Sequence, residues 1–295
     1  MNQDQSQSLE EDRINREDNF WCPNAACEGT GLCEPCKNKY LFVLATGRSG
    51  STTIMAMLNL LPGIRIAGEN NDVMYDFQTM VNNLTSLSNF KIGSDVKNGC
   101  WFHERIEKAS FACPAQELLR TINPPNTELQ KLGKDDAFIT GFKEIRWLRH
   151  EEFKGDVSKF LDTYLPLFPC SRFIFSIRSD VKNQAKSGFY GVESPNSTEA
   201  ELFLKHLNDI HIKLFNYIGK ERAFLLNMNE WTLPGGGRHF TELAQWLGFE
   251  NCFYPDDIGN CWNYVNRNKM SKTDICKSQT QDFSFGQSCM YNPFT

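Results

Sequence analysis

The stretch that decides the fold is "YLFVLATGRSGSTTIMAMLNLLPG", from Tyr40 to Gly63. It opens on a continuous apolar run over residues 40–46, which is typical of a parallel strand buried on both faces. A short loop follows, and then a helix whose apolar side chains at positions 54, 57, 58 and 61 form one stripe. Pro62 and Gly63 predict the end of this helix. A strand, a glycine-containing loop and a helix in this order predict an anion-binding site at the helix N-terminus.

The loop has side chains that suit a phosphate group but not a nucleoside triphosphate. Gly47 and Gly50 let the backbone approach an anion closely, and Arg48 adds a cation with fork geometry. Hydroxyl donors come from four further positions: Ser49, Ser51, Thr52 and Thr53. A triphosphate loop needs a lysine directly after its last glycine, where this sequence has Ser51. A kinase or ATPase is therefore disfavoured.

The rest of the chain predicts one large α/β domain. Four more strands are expected at 64–67, 137–145, 172–178 and 222–228, and helices at 156–168, 197–220 and 237–249. Strands that alternate with helices predict a parallel sheet flanked by helices. With 295 residues, the chain is expected to have a disordered polar tail at 1–20, a cysteine-rich segment at 21–39 and a single domain at 40–295.

Polar and charged residues stand where four of these strands end. They are Thr46–Arg48, Gly68–Glu69, Lys143–Glu144 and Arg178. Ligands of parallel sheets bind beyond the carboxyl ends of the strands. The sequence therefore predicts that these four positions belong to one site.

The loop "GRSGSTT" resembles the 5'-phosphosulfate-binding loop of the sulfotransferases that use 3'-phosphoadenosine 5'-phosphosulfate (PAPS). That family has a lysine or arginine, then Ser-Gly-Thr/Ser-Thr, after its first buried strand. Its second signature is an arginine at the end of a later strand and a serine in the next helix. Arg178 and Ser187 match it, nine positions apart where the family usually has eight. The resemblance covers residues 40–190 and implies a P-loop sulfotransferase fold.

The resemblance also implies roles for individual residues. The loop, Gly47 to Thr53, is expected to hold the phosphosulfate, and Arg178 and Ser187 the 3'-phosphate, without a metal. Glu69 follows the second strand, like the catalytic glutamate of the Golgi-type and tyrosylprotein branches, and is expected to be the general base.

Arg48 and Lys143 are expected to stabilise charge at the bridging oxygen. Glu144 stays an alternative base or a partner for Lys143, and His103 is a weaker candidate base. We therefore expect sulfuryl transfer from PAPS to a hydroxyl or amine, with release of 3'-phosphoadenosine 5'-phosphate (PAP). The alternatives are a catalytically silent PAP- or zinc-binding protein on the same fold, and an aberrant P-loop kinase.

Composition restricts the partners. The formal net charge is −5 and the pI about 5.6, which gives no reason to expect nucleic acid or an anionic membrane. The apolar runs have strand length, and the polar N-terminus is neither a signal nor a transit peptide. A cytoplasmic protein is expected, or a Golgi-luminal one if the chain is part of a longer protein. The acidic chain favours a small-molecule acceptor, with a glycan as the alternative.

The chain has 11 cysteines, of which four are clustered: Cys22, Cys27, Cys33 and Cys36. The interval between Cys22 and Cys27 is one residue beyond the commonest zinc-ligand spacings. Zinc, disulfides and free thiols therefore all stay open for this cluster.

Overall fold

The computed structural model describes residues 21–22, 34–70, 73–88, 107–123, 137–147, 162, 164–187, 197–256 and 290–291. Five strands form the central sheet: β1 (Lys39–Ala45), β2 (Ile64–Ala67), β3 (Ile139–Glu144), β4 (Ser171–Ile177) and β5 (Ala223–Asn227). Their order is β2-β3-β1-β4-β5, and every neighbouring pair is parallel. The predicted parallel sheet is confirmed, with all five predicted strands in it.

Seven α-helices have their bounds within the described residues. They are α1 (Ser51–Leu58), α2 (Val73–Ser88), α3 (Ala112–Ile122), α4 (Val181–Ala185), α5 (Ser197–Ile218), α6 (Met228–Trp231) and α7 (Gly237–Trp246). A 3₁₀ helix, Lys108–Phe111, precedes α3, and two short strands, β6 (Phe249–Glu250) and β7 (Met290–Tyr291), pair antiparallel. In the predicted helix at 156–168, the described positions 162 and 164–167 are helical.

Alternate side chains of the buried strands supply two separate core layers. Leu41 and Val43 of β1 pack with α1 and α7, whereas Phe42 and Leu44 pack with α2, α3 and α5. Successive side chains of a strand point to opposite faces, so the continuous apolar run of β1 needs a helical layer on each side. The sheet is therefore covered on both faces. A ligand of such a sheet is expected beyond the carboxyl ends of its strands.

The helix after the loop ends at Leu58, four residues before the predicted stop at Pro62. Asn59 explains the difference. Its Nδ2 donates to the carbonyl of Ile66 at 3.0 Å, and its Oδ1 accepts from the Ile66 N–H at 2.8 Å. The chain therefore leaves the helix early because this side chain joins the helix end to β2.

A disulfide fixes the N-terminal segment at the amino end of the sheet. Cys22 is bonded to Cys170, which directly precedes β4, and the fully buried Arg172 lies between the rings of Trp21 and Trp246 at 4.7 and 4.6 Å. Arg172 also donates a hydrogen bond to the backbone carbonyl of Trp246. This end of the sheet is closed by covalent and cation–π contacts.

The same disulfide bears on the alternatives for two of the four clustered cysteines, Cys22 and Cys36. Cys22 pairs with a cysteine outside the cluster. Cys36, whose sulfur lies within 4.8 Å of both Cys22 and Cys170, is disulfide-bonded as well. Zinc binds thiolates, so these bonds favour disulfides over a zinc site. Cys27 and Cys33 lie outside the described residues.

Within the part of the chain that the structure describes, no helix is long and apolar enough to span a membrane. The predicted tail at 1–20 lies outside that part, as does His103.

Candidate active site

The strand order sets the positions of the predicted site residues along the carboxyl edge of the sheet. Going from β2 through β3 and β1 to β4, the edge carries Glu69, Lys143, the Gly47–Thr53 loop and Arg178 in turn. Neighbouring strands lie about 4.8 Å apart, so β2 and β4 are separated by roughly 14 Å, with the loop between them. The parallel topology therefore brings the four strand ends to one edge, with Glu69 and Arg178 on opposite sides of the loop.

The loop has a backbone that depends on one glycine. Gly50 is the N-cap of α1 with φ 82°, and a Cβ there would lie 2.4 Å from the ring of Trp231. Arg48 also has a positive φ, 63°, which is uncommon for a residue with a side chain. No acidic residue occupies the first turn of α1, so the helix N-terminus keeps its positive end uncompensated. This backbone suits an anion.

The hydroxyl of Ser49 is used inside the protein. Ser49 is fully buried, its Oγ donates to the Thr46 carbonyl at 2.8 Å, and it lies 3.0 Å from Ser176 Oγ on β4. Ser176 Oγ also lies 3.0 Å from the Ser49 carbonyl, to which it donates. Ser49 therefore connects the loop to β4 and does not offer its hydroxyl to a ligand. Of the other predicted loop side chains, Arg48 and Thr52 are exposed, and Ser51 and Thr53 are buried.

A second internal contact to the loop comes from α4. The amide Nε2 of the fully buried Gln184 donates to Thr46 Oγ1 at 2.8 Å and to the Gly47 carbonyl at 2.6 Å. Sequence reasoning missed Gln184, and also Ser176. Neither has a local pattern that separates it from an ordinary helix or strand residue.

Arg178 extends from the end of β4 towards the loop. Its Nη1 donates to the Arg48 carbonyl at 3.4 Å, and its own carbonyl accepts from Asn208 Nδ2 at 2.9 Å. Burial lowers the pKa of Arg178; Asp180 opposes this shift and the nearby Arg48 guanidinium adds to it. Two guanidinium groups close enough to repel each other form a site that an anion would stabilise.

The two residues predicted to bind a 3'-phosphate, Arg178 and Ser187, each have a buried hydrogen-bond donor that is not used by the described residues. Arg178 Nε and Ser187 Oγ are buried, and neither has a hydrogen-bond partner among the described residues. Ser179 and Asp180 connect Arg178 to α4, and Asn229 Oδ1 accepts from both, at 3.2 Å from Ser179 Oγ and 2.9 Å from the Asp180 N–H.

Glu69 forms an ion pair on the other side of the loop. Lys143 Nζ donates to Glu69 Oε1 at 2.5 Å, and Arg146 Nη1 lies 3.7 Å from Oε2. The Lys143 side chain is 6% exposed, whereas that of Glu69 is 24% exposed. The carboxylate of Glu69 is therefore partly accessible to solvent, while the buried Lys143 holds it in position. Arg146 was not predicted.

Glu144 has a different environment from Glu69. It is buried, and its Oε1 accepts from the backbone N–H groups of Ile145 at 2.9 Å and Arg146 at 3.0 Å. A carboxylate that accepts hydrogen bonds from the backbone just after its own strand is poorly placed to reach an acceptor. Although Glu144 is next to Lys143 in the chain, the ion-pair partner of Lys143 is Glu69. The geometry favours Glu69 over Glu144 as the candidate base.

Two solved structures are similar to this chain. One is the sulfotransferase domain of the olefin synthase of Synechococcus PCC 7002, at 18% identity and TM-score 0.45, with 84% of each chain covered. The other is the sulfotransferase STF9 from Mycobacterium avium, at 13% identity and TM-score 0.35, over 71% of this chain and 64% of that one. Both are sulfotransferases.

No protein-family model and no curated protein matches the sequence. A structural similarity at these TM-scores does not by itself assign an activity. An activity can be proposed only from the residues along the carboxyl edge of the sheet.

Proposed function

We propose that the protein is a sulfotransferase that uses PAPS as donor and releases PAP. The observation that carries the proposal is the order of groups along the edge of the sheet: Arg178 and Ser187, then the loop, then Lys143 and Glu69. A donor with phosphates at both ends needs two anion sites, and a general base must lie beyond the reacting end.

The donor groups at the edge fit such a molecule. The loop offers an exposed arginine and the N-terminus of α1, and no acidic side chain in the first turn opposes an anion. At the other site, Arg178 Nε and Ser187 Oγ are buried donors that have no hydrogen-bond partner among the described residues. A 3'-phosphate has the acceptor oxygens to satisfy both. Bound PAPS would supply the sulfuryl group and, as PAP, the leaving group.

On this proposal the residues around the loop have separate catalytic roles. Arg48 and Lys143 stabilise the negative charge that develops on the bridging oxygen. Glu69 accepts the proton of the acceptor hydroxyl or amine, because among the described residues of this edge its carboxylate is partly exposed and is held by two cations. Arg146, which faces Glu69 Oε2, holds the carboxylate in place.

The acceptor is proposed to be a small molecule. A highly sulfated glycan needs a basic surface, which the net charge of −5 does not favour. The catalytically silent binding protein and the aberrant kinase are the competing functions. The first predicts PAP binding without turnover, and the second predicts ATP binding with magnesium.

The test is calorimetric titration of the purified protein with PAP, ADP and ATP, each with and without magnesium. We expect tight binding of PAP that is independent of magnesium, and weak binding of ADP. Binding of ATP with magnesium and indifference to PAP would replace the proposal with the kinase. If PAP binds, incubation with PAPS and a panel of hydroxyl and amine acceptors separates the enzyme from the silent protein.

We also propose that the chain folds in an oxidising compartment, the luminal alternative rather than the cytoplasm. Five cysteines lie in the described residues, and all five are disulfide-bonded. Disulfides are rare in cytosolic proteins, where thiol reductants keep cysteines reduced. Alkylation of the natural protein without reductant, followed by peptide mass spectrometry, is expected to recover Cys22 linked to Cys170. Alkylation of both cysteines as free thiols would contradict this.

A further inference from the structure

Gln184 joins two parts of the candidate site that lie far apart in the sequence. It sits on α4, between Arg178 and Ser187, yet its side chain bonds to the loop 137 positions earlier in the chain. The Gly47 carbonyl can only accept, so the amide nitrogen of Gln184 must be the atom that faces it. Both amide hydrogens are then used, one on Gly47 and one on Thr46 Oγ1.

These bonds act on the backbone of the loop. The Gly47 carbonyl directly precedes Arg48, which has a positive φ, and Gly50, which begins α1. A loop with two left-handed residues in three positions has a strained backbone. The buried hydrogen bond from Gln184 to the Gly47 carbonyl adds to those from Ser176 and Arg178 and helps to select one conformation. Gln184 itself is fully buried and offers no atom to solvent.

We propose that Gln184 is a positioning residue that fixes the loop for a 5'-phosphate, from the short helix α4 that lies in the chain between the two proposed 3'-phosphate residues. The inference rests on the proposed function, because it assigns the two phosphate sites as that proposal does. Gln184 contacts neither phosphate on this assignment, so its effect reaches the donor only through Thr46 and Gly47. Loss of the amide should therefore weaken 5'-phosphate binding selectively.

The chain provides a matched control at the opposite end of the sheet. Gln116 on α3 is also buried, and its Nε2 also donates two bonds to the backbone, to Pro35 at 2.9 Å and Leu167 at 3.3 Å. It holds the segment before β1 and the segment before β4 together, far from the loop. Gln116→Met and Gln184→Met remove the same donors and keep similar side-chain volume, so they separate lost stability from lost loop position.

The experiment is calorimetric titration of the wild type and both variants with PAP, adenosine 5'-phosphate and adenosine 3'-phosphate, with Tm measured for each. Both variants are expected to have a lower Tm. In Gln184→Met, the Kd values for PAP and adenosine 5'-phosphate should rise about tenfold, while that for adenosine 3'-phosphate stays within about threefold. In Gln116→Met, all three Kd values should stay within about threefold.

Wild-type affinity for PAP in Gln184→Met would overturn the inference, as would an equal loss of both monophosphates. If Gln184→Met does not fold, Thr46→Val removes one of the two acceptors and should weaken adenosine 5'-phosphate about threefold; an unchanged Kd there would also overturn it. A wild type that does not prefer PAP over ADP would instead overturn the proposed function itself.

Discussion

At the amino end of the sheet, Arg172 lies between two tryptophan rings, and Arg222 donates to the carbonyls of Pro169 at 2.8 Å and of Ser171 at 2.9 Å. At the carboxyl end, Arg48 is exposed, and among the described residues Arg178 donates to the Arg48 backbone carbonyl at 3.4 Å. The same side chain thus has opposite uses. Where rings and carbonyls surround a guanidinium, it contributes to stability. Where the charge of a second guanidinium acts on it, an added anion is favoured.

The two ends also differ in how their loops are held. The disulfide between Cys22 and Cys170 closes the amino end, whereas the loop at the carboxyl end is held by hydrogen bonds that Ser176 and Gln184 donate to its backbone carbonyls. A covalent bond stabilises by restricting the unfolded chain. Hydrogen bonds to a strained backbone select a conformation in the folded one. Variants at the amino end should therefore change stability, and variants at the carboxyl end should change binding and turnover.

The largest effect is expected for Glu69→Gln, which should lower kcat with PAPS by about 10²–10⁴-fold. The Gln amide oxygen can still accept from Lys143, so we expect the fold and the Kd for PAP to be kept. Single-turnover rates, with Tm and PAP titration as controls, measure this. Undiminished turnover would show that Glu69 is not the base, and a large loss of PAP affinity would make it a structural residue.

The second effect concerns the amino end. The double variant Cys22→Ser, Cys170→Ser opens a link across 148 positions and should lower the free energy of unfolding by about 2–5 kcal/mol. Urea unfolding measures the loss. The Kd for PAP should stay within about threefold, since the disulfide lies opposite the loop; a parallel loss of PAP affinity would break the distinction between the two ends.

A third effect arises from His211 on α5, which packs on the rings of Trp147 and Phe175 and belongs to neither end. Burial lowers the pKa of His211 to about 4. Between the unfolded value near 6.5 and this one, the unfolded chain binds a proton that the folded chain does not, so stability falls as the pH falls. The loss amounts to about 3 kcal/mol by pH 4.

Urea unfolding of the wild type and of His211→Leu at pH 7.5, 6 and 5 checks this. The wild type should lose more stability than the variant as the pH is lowered. Parallel losses in both proteins would show that His211 is not responsible.

The smallest effect is expected for Arg178→Ala, which should raise the Kd for PAP about 10- to 100-fold and that for ADP less than threefold. Its matched control is Arg222→Ala, which removes a guanidinium from the amino end and should lower Tm without changing either Kd. Calorimetry and thermal unfolding measure both variants. Equal weakening of ADP and PAP by Arg178→Ala would argue against a 3'-phosphate site.

The elements that could be predicted from the sequence are those with a local cause. The apolar run before the loop predicted β1, and Gly47 and Gly50 predicted a loop that approaches an anion. Asn59 was not foreseen as the end of α1, because its effect depends on Ile66 in another element. The site roles given to Glu69, Lys143, Arg178 and Ser187 stay predictions until the variants are measured.

The sequence by itself determined the five strands, the alternation of strands and helices that gives a parallel sheet, and the charged residues at the strand ends. Each of these depends on residues within a few positions of one another in the chain. Only the tertiary structure decided the ion pair of Glu69 with Lys143, the disulfide of Cys22 with Cys170 and the support of the loop by Gln184. These contacts join residues 74 to 148 positions apart. They depend on which strands become neighbours, and a local pattern does not contain that order.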